Sequence, residues 1–255
     1  MNKSIHEYAA KGFNVSSEAY EKGRPGYPLE AIDFLVSELK IGKNSCIADL
    51  AAGTGKLTKA LKKTAAKIIA IEPVEGMRRK FSVVLPEIEV INGTAERIPL
   101  GSESLDAVFV AQAFHWFDGT AALNEIHRVL KPGGKIGLIW NARDENAPWV
   151  LDLTKMIDPY ERGAPRYKSG NWLKAFEKTS LFSKLSYNHF QYVQKGDVDM
   201  MVDRVGSISF IASLNDEEKK PLLEKVRKLV EPHIHPETAM IELPYRTDVF
   251  ICSKL

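Results

Sequence analysis

This sequence has no long apolar run. Nothing in it approaches the roughly 18 consecutive apolar residues that suggest a membrane-spanning helix. The opening MNKSIHEYAAKGFN also lacks the apolar segment of a secretory signal. Cysteine is scarce: Cys46 and Cys252 lie far apart in apolar stretches, which excludes a disulfide scaffold and fits a reducing compartment. No tract of Lys and Arg is long enough for a nucleic-acid stripe. The densest, KKTAAK from Lys62, reads as a solvated helix end, and the formal net charge is only +2. Internal repeats and low-complexity linkers are missing as well. The expectation is a soluble cytoplasmic protein without a nucleic-acid partner, and nothing points to an oligomeric state.

What is present suffices for a full core. Hydrophobic residues make up 44% of 255 positions, and one doubly wound α/β domain can use the whole length. YPLEAIDFLVSEL puts Leu29, Ile32, Leu35, Val36 and Leu39 on one helical face. Short apolar runs follow at SCIADLA, KIIAIEP, IEVINGTAE, SLDAVFVAQA and KIGLIWNA, with amphipathic segments between them. AALNEIHRVL is a helix stopped by Pro132, Gly133 and Gly134. This alternation predicts a mostly parallel sheet covered by helices on both faces. Ligands of such sheets lie beyond the carboxyl ends of the strands. After Asn146 the pattern loosens: NWLKAFEKT, DVDMMVDRV and NDEEKKPLLEKVRKLV read as helices, the last with Asn215 as N-cap. LSYNHFQYVQK and MIELPYRTDVFICSKL read as strands. The division expected is one domain: residues 1–40 as an N-terminal helical lid and first helix, 41–145 as the core, and 146–255 as a small helical cap insertion with the closing strands.

The glycine turn DLAAGTG carries the chemistry. Glycines between strand and helix let the backbone approach a ligand and aim helix N–H groups at it. A phosphate loop needs glycine five residues before Gly55, where Leu50 stands, and Ser or Thr after Lys56, where Leu57 stands. A dinucleotide turn counted from Gly53 needs glycine where Thr58 stands; counted from Ala51, it meets Ala51 and Lys56 at glycine positions. What the turn has is an acid, Asp49. It would repel a pyrophosphate but suits the ammonium end of an amino acid. Glu72 ends the second strand about twenty residues on, where an acid can accept both hydroxyls of a ribose. Together the two acids suit an amino-acid nucleoside without phosphate. Taken singly, Asp49 reads equally well as a helix cap and Glu72 as a surface charge.

From about Tyr20 to Asn141 the chain resembles the class I, seven-stranded methyltransferases that use S-adenosylmethionine. DLAAGTG is similar to their D-x-G-x-G-x-G turn, with Ala51 at the first glycine and Gly53 and Gly55 kept. AIEP matches their ribose-binding acid at Glu72 with Pro73 beside it, and Met77 stands where an adenine cover is common. NGTAERIPLGSESLDAVFVAQAFHW matches the next two motifs, and RVLKPGG their helix stop. The resemblance implies that Thr94, Ala95 and Glu96, after Gly93, border the adenine and that Ala111 and Gln112 flank the methionine portion. AYEKGRPGYP, QAFHWFD and LIWNARDENAPWV resemble small-molecule enzymes related to trans-aconitate methyltransferases. That likeness puts Tyr20 and Arg24 near the donor's carboxylate or the acceptor; a plain turn explains Arg24 as well.

His115, Trp116 and Phe117 follow the fourth strand and should face the acceptor, as should Trp140. His115 is a candidate general base or a hydrogen-bonded wall residue. Trp149 and Trp172 join Trp140 as candidate lining of an apolar acceptor cavity, or are core. His233 and His235 lack a third ligand nearby, so no metal is expected. The reaction implied is direct methyl transfer to a small organic molecule, with a carboxylic acid as one acceptor class. An idle donor-binding protein and an NAD-dependent oxidoreductase are the competing readings. In a eukaryote Ser253-Lys254-Leu255 would read as a peroxisomal address, unless the final strand runs to its end.

Overall fold

The structure, a computed structural model, describes residues 23–255. Most of the expected lid, with Tyr20, lies outside the described residues. Seven strands form one sheet: β1 (Cys46–Leu50), β2 (Lys67–Ile71), β3 (Glu89–Ile91), β4 (Leu105–Ala111), β5 (Leu130–Arg143), β6 (Ser186–Gly196) and β7 (Ile241–Ser253). Their order is β3-β2-β1-β4-β5-β7-β6. The four pairs β1–β2, β1–β4, β2–β3 and β4–β5 are parallel. The order reverses between β1 and β4, the position where a doubly wound sheet opens its ligand crevice.

Among the described residues the helices are α1 (Leu29–Glu38), α2 (Lys56–Leu61), α3 (Glu75–Val84), α4 (Gly119–Val129), α5 (Pro148–Ile157), α6 (Leu173–Lys178), α7 (Val198–Gly206), α8 (Ser209–Ala212) and α9 (Asp216–Val230). The chain groups into two compact units. The larger holds Gly26–Asn141, Pro165–Phe190 and Thr247–Leu255; of the described residues the smaller holds Gly23–Pro25, Ala142–Ala164 and Gln191–Arg246.

In the larger unit the parallel strands are apolar on both faces because both are covered. Val108 and Val110 of β4 join Leu123, Ile126 and Trp140 in one core. Ala107 and Phe109, one residue out of phase, join Ile32, Leu35 and Leu57 in another. Leu29 departs from the expected apolar face of α1: it is 67% exposed, while Ala31, Ile32 and Leu35 are buried. It is the first residue of the helix, just after the Pro28 cap, before the buried stripe begins. Another departure is β5, which starts at Leu130 rather than after the glycines. Leu105 pairs with Leu130 and Ala107 with Lys135, so Lys131–Gly134 bulge from the edge of the pairing and Gly133 takes φ +73°.

The smaller unit packs α9 against α7 and α5. Asn215 caps α9 as expected, accepting from the Glu218 amide at 2.9 Å. At the end of the chain, Lys254 N donates to Gly134 O at 2.8 Å and Leu255 N to Leu181 O at 3.0 Å. A receptor reading Ser253–Leu255 would first have to release those bonds. No helix among the described residues is long and apolar enough to cross a membrane. Both cysteines are free thiols, and burial pushes Cys252 up to about 12.

Candidate active site

Asp49 is next to last in β1 and fully buried. One of its oxygens, Oδ2, accepts from the Thr58 hydroxyl of α2 at 2.5 Å. The other, Oδ1, is buried with no hydrogen-bond partner. Burial pushes its carboxyl up to about 7; the Thr58 hydroxyl and amide oppose that shift, and the Glu72 charge adds to it. Native proteins rarely leave a buried carboxylate oxygen unpaired. An unpaired one at a strand end could accept a hydrogen bond from a cationic group.

Glu72 follows β2 and is also buried. Its Oε2 accepts from Gly53 N at 2.9 Å and its Oε1 from Val74 N at 2.8 Å. The acid is therefore fastened to the glycine turn and to the start of α3. Each oxygen keeps a second lone pair for a ligand hydroxyl. Burial raises the carboxyl above its usual range, against those two amides and the Arg78 charge. Arg78 Nη1 donates to the carbonyls of Glu72 and Pro73 at 2.8 and 2.7 Å, which fixes this corner. Neither Thr58 nor Arg78 figures in the sequence-based site; each sits in a helix where its residue type alone carries no signal.

The turn has alternating handedness. Ala51 (φ +58°), Gly53 (φ +58°) and Gly55 (φ +91°) all lie in the left-handed region. At Gly55 a Cβ would come within 2.7 Å of Leu85 Cδ1 and 2.9 Å of Phe81 Cε2, so glycine is required twice over. Ala51 holds the same backbone with a Cβ, at a cost of about 1 kcal/mol. Gln112, just after β4, shares that strained geometry with φ +57°, and its amide donates to Ile139 O at 2.9 Å.

The remaining expected positions are gathered at the same strand ends. Met77 is buried on α3, with Pro73 just before that helix. Thr94 bridges to Arg97, Ala95 is buried, and Glu96 Oε1 accepts from Asp118 N at 3.0 Å. This loop is pinned by Glu125, which accepts from Ile98 N at 2.9 Å and pairs with Arg128.

His115 lies on a single 3-10 turn, Phe114–Trp116. Its Nδ1 accepts from Trp140 Nε1 at 3.3 Å, which leaves the hydrogen of the neutral ring on Nε2. Phe117 packs on Phe114, with ring centroids 5.4 Å apart, and the Trp116 ring is 5.1 Å from His115. Trp140 is core, stacked on Tyr167 at 4.8 Å and 4.7 Å from Trp172. Tyr167 in turn donates to the buried Asp248 at 2.7 Å. Trp149 belongs to the smaller unit and stacks on His233 at 5.0 Å. Arg24 also belongs to the smaller unit, where its Nη2 donates to Ser207 O at 2.9 Å.

The strand order is that of the class I methyltransferase fold. Residues 48–138 match a methyltransferase domain family. An uncharacterized methyltransferase-like protein of Schizosaccharomyces pombe is 37% identical over 252 residues, 96% of either chain. An uncharacterized methyltransferase of Mycobacterium tuberculosis is 35% identical over 241 residues, 92% of either chain. The chain belongs to this methyltransferase family. Two solved structures share the fold. One, provisionally named a type II methyltransferase, from Anaeromyxobacter dehalogenans, has TM-score 0.65 at 20% identity, covering 91% of this chain and 97% of its own. The other, provisionally assigned to an antibiotic biosynthesis pathway, from Anabaena variabilis, has TM-score 0.62 at 23% identity, covering 92% and 99%.

Proposed function

We propose that this chain transfers a methyl group from S-adenosylmethionine to a small organic acid. The observation that carries the donor assignment is Asp49 Oδ1, a buried carboxylate oxygen with no partner, beside a glycine turn that Glu72 holds in place. Asp49 would receive the donor's ammonium group and Glu72 its ribose hydroxyls. The turn at Ala51, Gly53 and Gly55 lets the backbone approach. Pro73, Met77 and the Thr94–Glu96 loop would enclose the adenine, and Ala111 and Gln112 would border the methionine portion.

When bound, the donor supplies an electrophilic sulfonium methyl that an in-line nucleophile displaces. The task left to the chain is alignment and exclusion of water. Trp116 and Phe117 would form an apolar wall, with the buried Trp140 packed behind it. The His115 Nδ1 already accepts from Trp140, so taking a proton there would mean giving up that bond. A carboxylate nucleophile needs no proton removed, which favours an acid over an alcohol or amine as acceptor. In that reaction His115 positions and does not act as base.

Calorimetric titration with S-adenosylmethionine and with NAD tests the donor assignment. Binding of the first alone is expected; binding of NAD alone would overturn it. A screen of organic acids for S-adenosylhomocysteine release tests the acceptor. His115→Ala should retain most of its turnover with acids, and complete loss would restore the general base.

A further inference from the structure

The smaller unit buries a second charge that the donor site does not use. Arg204 lies on the inner face of α7 with Met201 and Val205, and it is only 7% exposed. Its Nε donates to the Tyr245 hydroxyl at 3.0 Å, and that hydroxyl donates to Gln194 Oε1 at 3.2 Å. Gln194 Nε2 donates to Gly23 O at 2.8 Å and contacts Met200 Sδ at 3.2 Å. The guanidinium carbon lies 5.9 Å from the centroid of the Tyr245 ring. The far side of the fork differs: Nη1 is buried with no hydrogen-bond partner. No carboxylate among the described residues is paired with Arg204.

An arginine cannot shed its proton to escape such a setting. A buried, uncompensated guanidinium is costly, and the usual answer is an anion. Its neighbours are already settled. Tyr245 and Gln194 are locked to one another, and the backbone of Gly23 packs so closely on α7 that a Cβ there would come within 2.7 Å of Arg204 N. One side of the fork is fixed and the other is left with an unused donor. A single cation flanked by a neutral phenol and a neutral amide balances one negative charge. The planar fork matches the two oxygens of a carboxylate.

We propose that Arg204, held by Tyr245 and Gln194, forms a carboxylate-binding site in the smaller unit.

The test is thermal melting of the full chain with succinate, with succinamide as the neutral counterpart and with inorganic phosphate at matched ionic strength. A ligand that binds only the folded state raises the melting temperature with concentration. The expected result is a rise with succinate and none with succinamide or phosphate. Arg204→Met should lose the succinate response while melting no lower than wild type without ligand. Arg204→Lys, which keeps the charge but not the fork, should need roughly tenfold more succinate for the same rise. A succinate response that survives Arg204→Met, a response to phosphate alone, or none in the wild type would overturn the site. If neither variant folds, wild-type crystals soaked in succinate decide it: a carboxylate on Nη1 supports the site, and water alone there overturns it.

Discussion

Asp49 in the larger unit and Arg204 in the smaller one are both buried charged side chains with one polar atom unpartnered. They answer burial in opposite ways. The acid can keep a proton, and its carboxyl rises to about 7, so the empty site loses much of its charge. A guanidinium has no such exit. An acid site of this kind is switched by pH and by a cationic ligand. An arginine site is switched by ligand alone, and it lowers the stability of the ligand-free protein at every pH.

The largest expected effect separates the two sites by function. Asp49→Asn keeps shape and a Thr58 partner but removes the charge. It should weaken S-adenosylmethionine binding by about 2–3 kcal/mol, roughly 30- to 150-fold in calorimetry, and leave the succinate response intact. Next, Arg204→Met should raise ligand-free stability by about 2 kcal/mol in urea unfolding, since removing an uncompensated buried charge relieves the fold. A loss of stability would mean that Arg204 is structural. The pH arm follows. Because the folded-state value of Asp49 lies above its ordinary 3.8, its stabilising contribution is complete below about pH 4 and is lost as pH rises through 7. Donor affinity should move the other way, weakening roughly tenfold per unit below pH 7 and levelling above it. Smaller still is Trp140→Phe, which removes the donor to His115 Nδ1 but keeps a ring against Tyr167. It should cost about 1 kcal/mol of stability. The smallest change is Ala51→Gly: relief at φ +58° is partly offset by the freedom glycine has when unfolded, leaving a gain of about 0.5 kcal/mol in thermal melting.

The two sites also differ in how readable they were. Asp49 and Glu72 stand at the ends of apolar runs whose alternation with helices is plain, so the pattern places both at the strand ends. Their state was not readable: that Thr58 occupies only one oxygen of Asp49, and that Glu72 clamps Gly53, depends on how α2 and the turn pack. Arg204 was hidden for a different reason. DVDMMVDRV has a clear helical stripe, but a charged residue in it reads as solvated, and only tertiary packing brings Tyr245 and Gln194 around it. The contact between Trp140 and Trp172 was hidden in the same way: it forms because the 165–190 segment packs on the larger unit's core. The early start of β5 escaped because Pro132 and the glycines look like a full stop, and the structure makes them a bulge between two paired stretches.

The central claim is that the buried, unpaired oxygen of Asp49 awaits a cationic group. Calorimetry of S-adenosylmethionine binding at pH 6, in buffers of different ionisation enthalpy, counts the protons exchanged. The account predicts release of close to one proton by the wild type, as the ammonium group displaces the proton held by Asp49, and none by Asp49→Asn. Equal affinity and equal proton release in the two proteins would contradict it.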